Sequence, residues 1–357
     1  MKIFYAVQAT GNGHIARALE ILPYLQQYGE VDIFLSGNNS QLGSCLPILY
    51  RSKGLSLLYD NKGGLDYWRI FKSLRPVGMI NDALKLPLKK YDLILNDFES
   101  ITSLACRMRR LNSVHFGHQA SFRSNAVPRP DHKDVLGEWV LRNYCSGKLN
   151  LGLHFKAYDK NINTPIIKER IRNAAPTNRG HVTVYLPQFP NKEILTYFKS
   201  LTYINFEVFS RENKTIERID NITFYPVDNE IFTESMIHCC GVITGGGFET
   251  PAEAMYMGKK IMVFPIRGQY EQWCNAAALK EWNVPVLENL NTRTGVAIHR
   301  WYYQEYEKFD LQFQSNEDII KWLFENVKQS KLSSGPIEKC SGEFGSTESP
   351  LLKRSYI

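Results

Sequence analysis

Three consecutive glycines, Gly245-Gly246-Gly247, follow a short apolar run (Val242, Ile243) and precede a helical stretch. No other feature limits the fold as strongly. A strand entering such a turn, then a helix, then a second apolar run (Ile261 to Phe264) is the βαβ pattern of a parallel sheet. Glycines let a ligand approach the backbone and leave amide N–H groups pointing outward. The helix behind them adds the positive end of its dipole, which favours phosphate. Thr250 opens that helix. Glu253 falls on its first turns, where a carboxylate can take both hydroxyls of a ribose. A polar turn then opens another helix with Glu271 and Gln272, an acid–amide pair suited to sugar hydroxyls. Phosphate, ribose and sugar acceptors in one segment point to a nucleotide-sugar site.

The rest of the chain repeats the rhythm. Strands are expected at Ile3–Gln8, Val31–Ser36, Leu55–Tyr59, Asp92–Asn96, Ser113–Phe116 and Leu149–Phe155, with helical patterns such as Ile15–Tyr28 and Ile101–Arg110 between them. A polar stretch with Pro165 and Pro176 interrupts this order. The alternation resumes at His181–Leu186 and ends in a helix over Ser315–Val327, with Ser315 or Asn316 as its cap. These readings predict an N-terminal domain over 1–160, a linker over 161–178, a C-terminal domain over 179–328 and a disordered tail over 329–357. Both domains are α/β with Rossmann-like parallel sheets.

At 357 residues with 43% hydrophobic content, the chain can build two packed cores. Its seven cysteines form no spaced metal-ligand cluster. With the first strand starting at Ile3, no secretory leader is expected, and the reading is a cytoplasmic protein with reduced thiols. No run of about 18 apolar residues predicts a membrane span. The net charge of +7 comes from the first half: residues 1–160 carry 21 Lys and Arg against 13 Asp and Glu. The segment Tyr67–Lys90 mixes Trp68, Ile70, Phe71 and Leu74 with Arg69, Lys72 and Arg75, a composition suited to an anionic membrane surface. No nucleic-acid partner is expected. With no D-x-D and no metal-ligand spacing, no metal or other cofactor is expected, and glycine amides and the helix dipole are assigned to the leaving group.

Two further segments carry candidate chemistry. The first βα turn holds Gly11, Asn12, Gly13 and His14. Gly11, Gly13 and Ala16 satisfy G-x-G-x-x-A, but the second strand closes on Ser36-Gly37-Asn38 without the acidic residue a dinucleotide fold requires. Asp97 and Glu99 follow the fourth predicted strand, and His118 and Gln119 follow the fifth. Such strand ends are where open α/β sheets place ligands. His115, inside its strand, reads as structural.

The glycine segment resembles the donor half of GT-B glycosyltransferases, most nearly the family of the peptidoglycan N-acetylglucosaminyltransferase with its bacterial and archaeal relatives. The matching positions are Gly247, Thr250, Glu253, Gly258, Glu271, Gln272, Asn275 and Ala276; the proline expected after Gly258 is replaced by Lys259 or Lys260. The resemblance implies two Rossmann-like domains facing across a cleft and an inverting, metal-independent transfer from a UDP-sugar to a hydroxyl. The acceptor would be a glycan, part of the cell envelope or lipid-linked, taken by the first domain at the inner face of the membrane. His14 would be the general base, with Asp97 and Glu99 assisting it or serving as base themselves. Donor contacts would come from Gly11, Asn12, Gly13, Gly245, Gly246, Gly247, Thr250, Glu253, Glu271, Gln272 and Asn275, and acceptor contacts from His118 and Gln119. In such folds the closing helix, or here Trp301-Tyr302-Tyr303, crosses back to the first domain. A UDP-sugar 2-epimerase on the same fold and a non-catalytic sugar-nucleotide binder are the alternatives.

Overall fold

A computed structural model describes residues 1–9, 12–37, 46–54, 76–305 and 309–332. The first sheet contains β1 (Lys2–Gln8), β2 (Glu30–Ser36), β3 (Ile48–Ser52), β4 (Leu93–Asp97), β5 (Val114–Gly117), β6 (Leu149–Leu153) and β7 (Ile162–Asn163). Their order is β3-β2-β1-β4-β5-β6-β7, with every neighbouring pair parallel. The second contains β8 (His181–Tyr185), β9 (Asn205–Ser210), β10 (Glu217–Ile219), β11 (Ile222–Pro226), β12 (Gly241–Thr244) and β13 (Lys260–Val263). Its order is β10-β11-β9-β8-β12-β13, and only the edge strand β10 runs antiparallel.

Near-continuous apolar strands make these sheets central layers. In β1, Ile3, Tyr5 and Val7 enter one core, while Phe4 and Ala6 enter another on the opposite face. The second sheet alternates the same way: Val242 and Ile261 face one core, Ile243 and Met262 the other.

The closing helix, α5 (Asn316–Gln329), follows α1 (Asn12–Gln26), α2 (Ser100–Arg109), α3 (Glu249–Tyr256) and α4 (Tyr270–Leu279) among the helices that matter for the site. Ser315 caps α5 by accepting the Asp318 amide at 3.0 Å. Its buried Ile319, Ile320, Leu323 and Phe324 join the core that holds Ile15, Ala18 and Ile21 of α1, and Phe324 stacks on Tyr28 with centroids 3.7 Å apart. Burying Phe324 contributes about 1.5–3 kcal/mol to this return crossing. Trp301 does not cross: its indole donates to the Ile261 carbonyl at 3.0 Å, within the second sheet's own core.

Lys259 takes a structural role at the proline position. Its ammonium donates to the carbonyls of Thr177, Ile237 and Cys239 at 2.6–2.8 Å, satisfying the C-terminal end of the helix Asn229–His238. The stretch 161–178 supplies β7 and the short helix Glu169–Arg172.

The strand expected at Leu55–Tyr59, residues 67–75 of the aromatic–basic segment and the tail from 333 onward lie outside the described residues. Pro76–Lys85 is a helix with Val77 80% and Leu84 55% exposed, while Ala83 is buried. No helix among the described residues is long and apolar enough to cross a membrane. Cys106, Cys145, Cys239, Cys240 and Cys274 are free thiols.

Both sheets have a point where strand order reverses, between β1 and β4 in the first and between β8 and β12 in the second. Loops diverge there and leave a crevice at the strands' carboxyl ends. The first turn of α1 and the end of β4 meet at the first point, where His14 lies beside Asp97, and the glycine turn leaves β12 at the second.

Candidate functional site

At the first crevice, α1 places His14 beside Asp97. His14 Nδ1 lies 2.9 Å from Asp97 Oδ1. Arg17, one turn further along α1, grips the same carboxylate: Nε donates to Oδ2 at 3.0 Å and Nη2 to Oδ1 at 2.8 Å. Burial alone would push the Asp97 carboxyl up, but Arg17 and His14 outweigh it and hold it well below the usual carboxylate range. Two groups face His14 Nδ1: the ionised Asp97, which can only accept, and Arg17 Nη2, 3.0 Å away, which can only donate. A proton on Nδ1 answers Asp97 and leaves the lone pair on Nε2. Gly117 makes room for the cluster: with φ at +141°, a Cβ on it would stand 2.7 Å from Asp97 Oδ1.

Glu99 leaves the catalytic set. Phe98 takes a left-handed turn (φ 55°), and Asn96 ties the loop by donating to the Glu99 carbonyl at 2.8 Å and accepting its amide at 2.7 Å. The turn sends Glu99 to the head of α2, where its carboxylate accepts the Ile101 and Thr102 amides at 2.7 and 2.6 Å. Both carboxylate oxygens are used as a helix cap.

At the second crevice, the glycine turn is shaped by the residues expected to touch the sugar. Gln272 Oε1 accepts the amides of Gly246 (3.0 Å) and Ile266 (2.9 Å), and its Nε2 donates to Gln269 Oε1. Asn275, fully buried, donates to the Gly246 carbonyl at 3.0 Å. A Cβ on Gly246 would stand 2.6 Å from the Gln272 carbonyl, so α4 packs directly on this turn. Gln272 and Asn275 are therefore positioning residues here, and the Gly246 amide is not open to a phosphate. At Gly247 a Cβ would meet nothing within 4 Å. Gly245 lies buried behind the turn. The first turn of α3 leaves the Glu249 and Thr250 amides without intrahelical partners, and Pro251 has no N–H to satisfy.

Glu253 sits on α3 as expected but is buried, with Lys168 Nζ 3.2 Å from Oε1 and 3.4 Å from Oε2. Burial raises its carboxyl, against the pull of Lys168.

His118 and Gln119 join the two sheets' halves. The His118 ring stacks on Phe248 (3.8 Å, 5°), its Nδ1 lies 3.0 Å from the Leu153 carbonyl, and its Nε2 lies 2.8 Å from Asn275 Oδ1. Burial lowers its pKa to about 4, against the field of Glu271. A ring 1% exposed, stacked on Phe248 and with an oxygen within 3.0 Å of each nitrogen, is packed between the two halves; uncharged, it donates to one of these oxygens. Gln119 Nε2 donates to both Glu271 oxygens at 3.1 Å, so an expected acceptor residue and an expected donor residue bond each other. His115 is buried inside β5, as its strand position suggests.

Two residues join the site that the sequence pattern did not single out. Arg17 Nη1 donates to Glu249 Oε1 at 2.5 Å across the crevice. Glu249 is the first residue of α3, directly behind the glycine turn. Gly13 admits it, since a Cβ there would lie 3.1 Å from Glu249 Cγ. A polar residue three positions after His14 on α1 was the only available hint for Arg17. Asn12 opens α1, and Gly11 lies outside the described residues. The assembled chemistry is an imidazole beside a buried carboxylate, joined through Arg17 and Gly13 to Glu249 at the N-terminus of α3.

The family model for glycosyl transferase family 1 matches residues 1–297. No curated protein matches the sequence. Among solved structures, the spinosyn forosaminyltransferase SpnP aligns with a TM-score of 0.57 at 13% identity, over 92% of this chain and 99% of that one. The Arabidopsis thaliana protein UGT89C1, solved with UDP-L-rhamnose, aligns with a TM-score of 0.52 at 12% identity, over 92% and 94%. The glycosyltransferase VinC, solved with dTDP, gives 0.51 at 13% identity, over 92% and 98%. Likeness at this identity establishes the fold, which is GT-B.

Proposed function

Because the chain belongs to glycosyl transferase family 1, we propose that it moves a sugar from a UDP-sugar to a hydroxyl acceptor with inversion, using His14 as general base. The observation that carries this reading is the 2.9 Å contact between His14 Nδ1 and the ionised Asp97. It supports a ring proton held on Nδ1 by that carboxylate, with Nε2 taking the acceptor's proton as its oxygen attacks the anomeric carbon. The bond to the diphosphate breaks on the opposite face, which inverts the centre. Amides of the first turn of α3 and its dipole receive the departing charge. Thr250 adds a hydroxyl, and Glu253 takes the ribose.

In this reading residues 1–160 take the acceptor, 179–328 take the donor, and 161–178 connect them. UDP is favoured by the carboxylate placed for a ribose and by the resemblance to the peptidoglycan family. VinC was solved with dTDP, so both nucleotides belong in the first assay. Incubating the enzyme with labelled UDP-sugars, with and without hydroxyl acceptors, tests the reading. Release of UDP only when acceptor is present supports transfer. A changed sugar nucleotide from donor alone would instead indicate the epimerase.

We further propose a lipid-linked or cell-envelope glycan acceptor met at an anionic membrane surface on the cytoplasmic side. The support is the helix Pro76–Lys85, which exposes Val77, Ile80 and Leu84 and is followed by Lys89 and Lys90. Sedimentation with vesicles containing phosphatidylglycerol at low salt tests this. Absence of binding there overturns it.

A further inference from the structure

Arg17 uses its guanidinium on two sides. Nε and Nη2 are committed to Asp97, while Nη1 reaches across the crevice to Glu249. Glu249 stands where the proposed function puts the donor's diphosphate: at the first residue of α3, behind the glycine turn. There its carboxylate receives both the helix dipole and a guanidinium edge, which are the two groups an anionic ligand would seek. Resting on that functional reading, we propose that Arg17 is a diphosphate-binding residue and that Glu249 competes with the donor for it.

The two anions cannot share the place. Asp97 stands on β4, Glu253 lies one turn along α3, and Arg17 on α1 offers the opposing charge. A diphosphate brought against an ionised Glu249 would add like charge to a group already crowded by carboxylates. Burial pushes the Glu249 carboxyl up to about 7, against the pull of Arg17, with Glu253 adding to the rise. Its side chain retains 21% exposure, which gives it a route for taking up a proton. Donor entry therefore protonates Glu249 and transfers Arg17 Nη1 to a phosphate oxygen. Donor affinity should fall as pH rises through the Glu249 transition, because the carboxylate then holds Arg17 more firmly.

Titration of UDP into the full-length wild-type protein and the Glu249→Gln variant, by calorimetry at pH 6.0 and 8.5, tests this. The ionisation of UDP is common to both proteins and cancels in the comparison. Wild type should lose roughly 30-fold more affinity across this interval than the variant, as protonation linkage at a group near 7 requires. In buffers of different ionisation enthalpy at pH 8.5, wild type should take up about one proton per UDP bound, and the variant none beyond the ligand's own. UDP binding with equal pH dependence and equal proton uptake in the two proteins overturns the competition and leaves the glycosyltransferase reading standing. If the variant does not fold, proton uptake by wild type at pH 8.5 decides alone, since UDP is fully ionised there: no uptake overturns the proposal. If neither UDP nor dTDP binds folded wild type at either pH, the donor site itself is misassigned and the proposal falls with it.

Discussion

Asp97 Oδ1 lies 2.9 Å from His14 Nδ1, and Arg17 donates to both oxygens of the same carboxylate. In the proposed reading Asp97 accepts the Nδ1 proton and Nε2 is the base. Asp97→Asn keeps the shape but offers an amide that can donate to Nδ1, so the ring proton moves to Nε2 and the base is lost. The expected result is a fall in kcat of roughly 10²–10⁴-fold with the donor KM nearly unchanged. Steady-state kinetics beside a thermal melt would show it. An unaltered kcat in a folded variant would remove His14 from the role of base.

The glycine turn separates packing from ligand contact one residue at a time. Gly246→Ala forces a Cβ to within 2.6 Å of the Gln272 carbonyl, a backbone atom that cannot swing aside. A loss of about 1–3 kcal/mol is expected from overpacking, read as a lower urea midpoint. Gly247→Ala meets nothing within 4 Å. It should leave the midpoint within about 0.5 kcal/mol of wild type while weakening UDP binding measured by calorimetry. If Gly247→Ala binds UDP as well as wild type, the open side of this turn is not where the diphosphate lies.

The sheets were legible because parallel strands buried on both faces appear as continuous apolar runs, as in Ile3–Val7, and because Ser315 marks the start of α5. The chemistry was legible only in part. Asp97 and Glu99 stand two residues apart at one strand end, and the left-handed Phe98 between them decides which reaches the crevice. Gln272 and Asn275 have the polarity of sugar ligands, yet that polarity serves Gly246, a partner 26 and 29 residues away. Arg17 and Glu249 are separated by 232 residues, so no local period could pair them.

Three buried histidines among the described residues set an acid limit on stability. Burial lowers His115 and His118 to about 4 and holds His154 well below the ordinary histidine value. The unfolded chain takes up these protons near the ordinary histidine value, about 6.5, while the folded protein refuses them. Their contribution is therefore complete above that value and is lost as pH falls toward 4, for His115 and His118 by at most about 3 kcal/mol each. Glu249, raised to about 7, acts in the opposite direction over part of this range because its folded form binds the extra proton. The buried carboxyls of Glu99 and Glu253 are raised as well and act with Glu249. Urea midpoints of wild type and His118→Phe, which retains the stacking on Phe248, isolate the histidine part: the variant should lose less stability between pH 6.5 and 4. An unchanged slope in the folded variant would mean that this ring is protonated in the folded protein.

Glu253 is the residue whose proposed ligand and structural partner compete most directly. Both of its oxygens lie within 3.4 Å of Lys168 Nζ, and Lys168 also donates to Asn229 Oδ1 at 3.2 Å. A carboxylate that binds a ribose must turn at least one oxygen toward the sugar while Lys168 retains the other. Glu253→Gln keeps the length and one accepting oxygen but removes the charge. Losing a hydrogen bond to a charged group costs about 1.5–3 kcal/mol, so UDP affinity should fall roughly 10- to 100-fold. Pyrophosphate has no ribose, and its affinity should change little. Calorimetry with both ligands separates the two roles of Glu253. Equal weakening of UDP and pyrophosphate would show that it acts by holding Lys168 and the head of α3 in place, and the ribose would then need another partner.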